Sequence, residues 1–204
     1  MRYLTPTVRP EWLGRPDVGL LLTPNMGNVP DLTDQCWAAD NGCFTTRVRF
    51  DLARYLRWLA RWPAAARARC LFATAPDVVG DAAATWARSA PVLPALRTLG
   101  YPAALVAQDG IAPERLAWDA FDVLFVGGTT AFKLADATYA LAAEARARGK
   151  WTHLGRVNSG PRFHAARAAG YDSADGSLLC FGPTTNRPRL EAWLARAAVQ
   201  PVLL

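Results

Sequence analysis

The sequence is poor in several residues that usually announce a function. It has two lysines, Lys133 and Lys150, although Lys and Arg together number 23, and two histidines, His153 and His164. The four cysteines, Cys36, Cys43, Cys70 and Cys180, form no Cys-x-x-Cys pair and have no histidine at a zinc-ligand spacing. No metal site is therefore expected, and the thiols should be reduced and at least partly buried. There is no Gly-x-Ser-x-Gly elbow, which argues against a Ser-His-Asp hydrolase. No Gly-x-Gly-x-x-Gly follows the first apolar run, so a dinucleotide fold has little support. No apolar stretch approaches membrane-spanning length. The opening residues Met1-Arg2-Tyr3-Leu4-Thr5-Pro6 lack the apolar centre of a signal peptide, so a cytoplasmic location without a membrane partner is expected.

What is present describes an ordinary globular chain. With 204 residues, 51% apolar and 20% charged, it can bury a substantial core and is not disordered. No composition shift, repeat or low-complexity tract divides it, so residues 1–204 are expected to form a single domain. The net charge of +6 favours phosphate-bearing partners. Clusters such as Arg54/Arg57/Arg61/Arg67/Arg69 are nevertheless more simply solvated helix faces.

The strongest pattern is a series of short apolar runs, each ending in a polar or glycine-rich tip. In order, the tips are Thr23-Pro24, Asp40-Asn41-Gly42, Ala75-Pro76-Asp77, Gln108-Asp109-Gly110, Gly127-Gly128, Gly155-Arg156 and Asp172-Ser173-Ala174-Asp175-Gly176. Helical stripes lie between them at 51–62, 82–99 (interrupted by Pro91 and Pro94), 131–148 ending at Gly149, 161–169 and 188–199. Counting Leu179–Phe181 as a last strand gives about eight units. The expected fold class is α/β, a compact or reduced (β/α)8 TIM-type barrel, with a doubly wound sheet as second choice. In such a barrel the tips share one face, and an active site is built there.

Taken singly, each tip has a structural explanation. Asp40-Asn41-Gly42 suits an Asx turn, Asp77 and Asp175 suit helix caps, and Gly127-Gly128 suits a tight strand-to-helix turn followed by Thr129 and Thr130 as caps. Gln108 is harder to dismiss, because an amide at the end of a buried strand needs partners. His153 is expected as a hydrogen-bonded wall residue, and most of the eight tryptophans as packing between barrel and helices.

Taken together, the tips resemble the tRNA-guanine transglycosylase superfamily, most closely its DNA-directed branch, the deazapurine DNA-modification (DpdA-like) proteins often encoded by phages. Asp40-Asn41-Gly42-Cys43-Phe44 resembles the family's Asp-Ser-Gly-Gly-Phe tip. Val106-Ala107-Gln108-Asp109-Gly110 resembles Val-Gln-Gly, and Val126-Gly127-Gly128 resembles Ile-Gly-Gly. His153-Leu154-Gly155-Arg156-Val157 resembles Leu-Met-Gly-Val-Gly, and Gly170-Tyr171-Asp172-Ser173-Ala174-Asp175 resembles Gly-x-Asp-x-x-Asp. Ala75-Pro76-Asp77 resembles a further tip with shifted spacing. The cysteine-and-histidine zinc site of the tRNA enzymes is absent, and the length leaves no room for their tRNA-binding extension.

The resemblance implies exchange of guanine in DNA for a 7-deazaguanine base (preQ0-like) through a covalent aspartyl-glycosyl intermediate, with no cofactor. Asp175 would be the nucleophile, with Asp172 as fallback, and Asp40 the general acid/base. Asp77, Gln108, Gly127 and Gly128 would hold the base. Expected partners are DNA and the deazaguanine base; a homodimer or partner proteins are compatible with it. The alternatives are an N-glycosidic hydrolase using the same carboxylates, and a non-catalytic nucleic-acid- or base-binding subunit on a degenerate barrel.

Overall fold

The computed structural model describes residues 1–6, 9–43 and 50–199. Among them eight parallel strands close into a barrel in chain order. They are β1 (Arg2–Thr5), β2 (Val18–Leu22), β3 (Trp37–Ala39), β4 (Cys70–Thr74), β5 (Ala103–Ala107), β6 (Val123–Val126), β7 (Trp151–Leu154) and β8 (Ser173–Asp175). The expected (β/α)8 barrel is thus observed, with one exchange of strands. Leu178–Cys180 forms a 3-10 turn rather than a strand, and Phe181 is 72% exposed. The missing member is β1, which pairs with β8 so that Leu4 lies opposite Asp175. With β1 on that edge, the closed barrel leaves no edge on which residues 179–181 could pair.

The helices between the strands are short. Residues α1 (Leu52–Ala60) and α2 (Ala64–Ala68) follow β3, and α3 (Ala82–Ser89) and α4 (Leu93–Thr98) follow β4. The carboxylates of Asp51 and Asp81 cap α1 and α3 by accepting the Arg54 and Ala84 amides. Asp81, not Asp77, is therefore the cap of α3. Pro94 sits in the first turn of α4, where its missing N–H costs nothing.

The expected single helix over 131–148 is two: α5 (Thr130–Leu134) and α6 (Asp136–Ala147), separated at Ala135, whose ψ of 142° is extended. The Thr138 hydroxyl holds the break by donating to the Phe132 carbonyl at 2.6 Å. After β7 comes α7 (Gly160–Ala168), and α8 (Pro183–Val199) ends the described chain. This last helix starts before the expected residue 188, with Pro188 inside it.

Strand alternation sorts side chains into two layers. Leu4, Leu21, Ala38, Phe72, Ala104 and Val123 pack together inside the barrel. Their neighbours Tyr3, Leu20, Leu22, Trp37, Leu105 and Leu124 belong to the layer shared with the helices. The tryptophans fulfil their expected packing role there. Trp37 lies 6.2, 5.7 and 6.1 Å, centroid to centroid, from Trp58, Trp62 and Tyr101. Burial of each such ring stabilises the fold by roughly 2–3 kcal/mol. The inner layer fills the barrel's interior, and the cavity at the C-terminal mouth lies above it. The cysteines are free as expected, but Cys180 is exposed rather than buried.

Candidate active site

The C-terminal mouth of the barrel opens into a cavity of about 320 Å³, and Asp40, Asp77, Gln108, Gly127, Gly128 and Asp175 all line it. Residues 135 positions apart in sequence are brought together because each follows or ends a strand whose C-terminus points to this mouth. Phe44, part of the first quoted tip, lies outside the described residues.

Asp40 follows β3, and its backbone amide continues the ladder by donating to the Leu22 carbonyl at 2.8 Å. Its Oδ1 accepts the Gly42 amide at 3.0 Å, the expected Asx turn, at a glycine with φ of 75°. Desolvation pushes the Asp40 carboxyl up to about 6. The Gly42 bond opposes this, while the negative charges of Asp77 and Asp175 add to it. This group is poised to gain or lose a proton near neutrality.

Asp77 belongs to a connected polar wall. Its Oδ1 accepts from Asn41 Nδ2 at 3.0 Å and its Oδ2 from Gln108 Nε2 at 2.7 Å. Gln108 in turn accepts the Gly80 amide at 2.9 Å, and Asn41 also donates to the Ala75 carbonyl at 2.8 Å. The buried Gln108 amide thus has the partners its position demands. Burial raises the Asp77 carboxyl above its usual range against these bonds.

The two glycines leave room that no other residue would. A Cβ on Gly127 would lie 2.7 Å from Val106 Cγ1 and 3.1 Å from Gln108 Nε2. Gly128 has φ of 73°, and its Cβ would stand 2.6 Å from Asp109 Oδ2. Asp109 itself is turned to structure. Its carboxylate accepts the Thr129 amide and hydroxyl at 2.8 and 2.6 Å, fixing the cap of α5.

Asp175 ends β8. Its Oδ1 is held by His153 Nε2 at 3.0 Å and the Arg156 amide at 3.2 Å. No hydrogen bond from a described residue reaches Oδ2. His153 is fully buried between Phe72 and Phe125, with ring centroids 5.0 and 4.4 Å away. Its Nδ1 meets Ser173 Oγ at 2.8 Å, and that oxygen accepts from Trp151 Nε1 at 3.0 Å. Since Trp151 can only donate, the serine proton is free for Nδ1, which leaves the Nε2 proton for Asp175. His153 is a wall residue, as expected, and also the support of Asp175.

Asp172 is elsewhere. It precedes β8, and its Oδ2 accepts the Thr152 amide and hydroxyl at 2.8 and 2.9 Å. Thr152 stands near the start of β7, so this carboxylate belongs to the opposite mouth. The geometry removes Asp172 as an alternative to Asp175.

Several cavity residues lie outside the expected site set: Asn41 and Arg156, although both stand in strand tips, and Lys133, Asn158 and Ser177. Only the position of Lys133 in the first turn after Gly127-Gly128 could have marked it. None of the eight tryptophans lines the cavity; the aromatic face there is Phe125. No group of three or more His, Cys, Asp or Glu among the described residues could hold a metal ion. No helix among them is long and apolar enough to cross a membrane. No protein-family model matches the sequence, and no curated protein is significantly similar to it, so the cavity's chemistry rests on its own residues.

Proposed function

We propose that the protein is a DNA base transglycosylase that exchanges guanine for a 7-deazaguanine base, in the manner of the family its strand tips resemble. The observation that carries the reading is the convergence of Asp40, Asp77, Gln108 and Asp175 on one cavity, with two glycines in its wall. Asp175 Oδ2 attacks C1′ of the target nucleotide as the C1′–N9 bond breaks, forming a glycosyl ester. Its Oδ1, held by His153 and Arg156, stays in place as the charge moves.

Asp40, with its carboxyl near 6, hands a proton to the departing guanine. It then takes the N9 proton of the incoming base, whose nitrogen displaces Asp175 and restores the N-glycosidic bond. Atoms and charges balance without an outside reactant. The Asp77–Gln108 pair offers acceptors and a donor to the amide and amine edge of either base, and Gly127 and Gly128 let the ring approach the backbone. A target in duplex DNA has to leave the stack to reach the cavity.

The test is incubation with DNA and a radiolabelled 7-deazaguanine base, with label counted in the DNA. Retained label that is lost in Asp175→Asn supports the exchange. Release of free guanine without incorporation assigns a hydrolase, and salt-sensitive DNA binding with neither activity assigns a binding subunit.

A further inference from the structure

Lys133 is one of two lysines in the chain, and it is 5% exposed. It lines the cavity at the barrel's mouth, yet its ammonium makes no hydrogen bond or ion pair with any described residue. A desolvated ammonium that no hydrogen bond or contact ion pair holds is costly, and a bound anion offsets that cost. Asp175 and Asp109 attract the ammonium, but Asp109 is tied to Thr129 and Asp175 Oδ1 to His153 and Arg156, and neither carboxylate is in contact with it.

Beside Lys133 a small separate recess is lined by Lys133, Arg156 and Arg162 among others, and no carboxylate among the described residues lines it. Desolvation, with the charges of Arg156 and Arg162, holds the lysine's affinity for its proton below the usual value, against the attraction of Asp175 and Asp109. Asp40 and Asp77 follow β3 and β4, whereas the cations gather at α5, β7's tip and α7, with Asp175 beside them.

We infer that Lys133, with Arg156 and Arg162 at its rim, forms a phosphate subsite that receives the phosphate ester attached to the sugar of the bound nucleotide. The assignment rests on the nucleotide reading of the cavity. A nucleotide has one anionic part, its phosphate, and a neutral base for the Asp77–Gln108 wall. Arginine and lysine together suit a phosphate, one as a planar fork and one as a point charge. The phosphate ester has two sources, a DNA backbone phosphodiester or a free nucleoside monophosphate.

Calorimetric titration of the full chain tests this with four probes: 2′-deoxyguanosine, its 3′-monophosphate, its 5′-monophosphate and a single-stranded trinucleotide with central guanine. A phosphate-bearing probe should bind at least about tenfold more tightly than the nucleoside. Lys133→Gln should abolish that gain, so that the phosphate-bearing probes bind no more tightly than the nucleoside, while Lys133→Arg should keep most of it. If the Gln variant does not fold, Lys133→Met serves in its place, with folding checked by circular dichroism. A gain confined to the trinucleotide identifies the backbone; a gain shared by a monophosphate identifies the free nucleotide.

Equal binding of all four probes overturns the subsite, as does a gain that survives in Lys133→Gln. Base exchange with no phosphate gain sinks the subsite alone. A Lys133-dependent gain without base exchange sinks the transglycosylase alone.

Discussion

The two mouths of the barrel carry the same residue type to opposite ends. Asp17, Asp122 and Asp172 each immediately precede a strand, β2, β6 and β8, and each is fully committed to structure. Arg15 holds Asp17 at 2.9 and 2.8 Å and keeps its carboxyl below the usual range. Arg97 and the Ala103 amide hold Asp122, and Thr152 holds Asp172. At the other mouth Asp40 stands under the charges of Asp77 and Asp175 in a desolvated cavity, and one Asp175 oxygen accepts no hydrogen bond from a described residue. Carboxylates at the lower mouth have their charge answered by neighbours. Those at the upper mouth are held in place without being neutralised, as the proposed exchange would need.

Exchanging residues between the two roles should break the comparison if it is wrong. The largest contrast is between the two ends of β8. Asp175→Asn should lower base exchange about 10³-fold or more with little change in melting temperature. Asp172→Ala should leave exchange near wild type and cost about 1–3 kcal/mol, the penalty of stranding the Thr152 donors. Paired exchange assays and denaturant titrations read both, and loss of exchange in a folded Asp172→Ala would undo the division.

A second prediction concerns the cost of an unanswered charge. The folded-state value of about 6 for Asp40 lies above the roughly 3.9 of an unfolded aspartate. The folded state therefore holds the proton more tightly, and stability falls as pH rises from about 4 through 6. Above that window the penalty is roughly 2–3 kcal/mol. Asp40→Asn should be more stable than the wild type at pH 8 by about 2 kcal/mol, equal to it near pH 3.5, and inactive. Thermal melts at the two pH values decide it; a destabilised variant at pH 8 would refute the assigned cause. The smallest effect is expected at the lower mouth's surface. Asp122→Ala should cost about 1 kcal/mol, because the Arg97 pair is more than a third exposed, and the cost should shrink in 1 M salt. Exchange should be unaffected.

Much of this was legible because a strand covered on both faces has to be almost continuously apolar. Val18–Leu22, Ala103–Ala107 and Val123–Val126 stand out, and the polar residue or glycine after each then marks the mouth. Arg2–Thr5 escaped because four residues with polar ends carry no period, and only closure against β8 makes them a strand. The break at Ala135 escaped because Leu134-Ala135-Asp136 contains neither glycine nor proline. Lys133 and Arg156 escaped for a different reason: which face of a short helix or turn overlooks a cavity depends on packing, which sequence spacing does not encode. His153 was placed correctly in a wall, but its bond to Asp175 required the register that sets β7 beside β8.

Gly176 shows how closely the start of the chain is built into this region. A Cβ there would meet Tyr3 Oη, the Asn158 side chain and the Val157 carbonyl all within 2.5 Å. Tyr3 itself donates to that carbonyl across 154 positions of sequence. During synthesis, β1 therefore stays unpaired on one side until residues 173–175 of β8 have been made. Closing the ring and setting Asp175 in place are then a single late event. A polypeptide stalled before that point has neither a closed barrel nor the Asp175 carboxylate in its cavity.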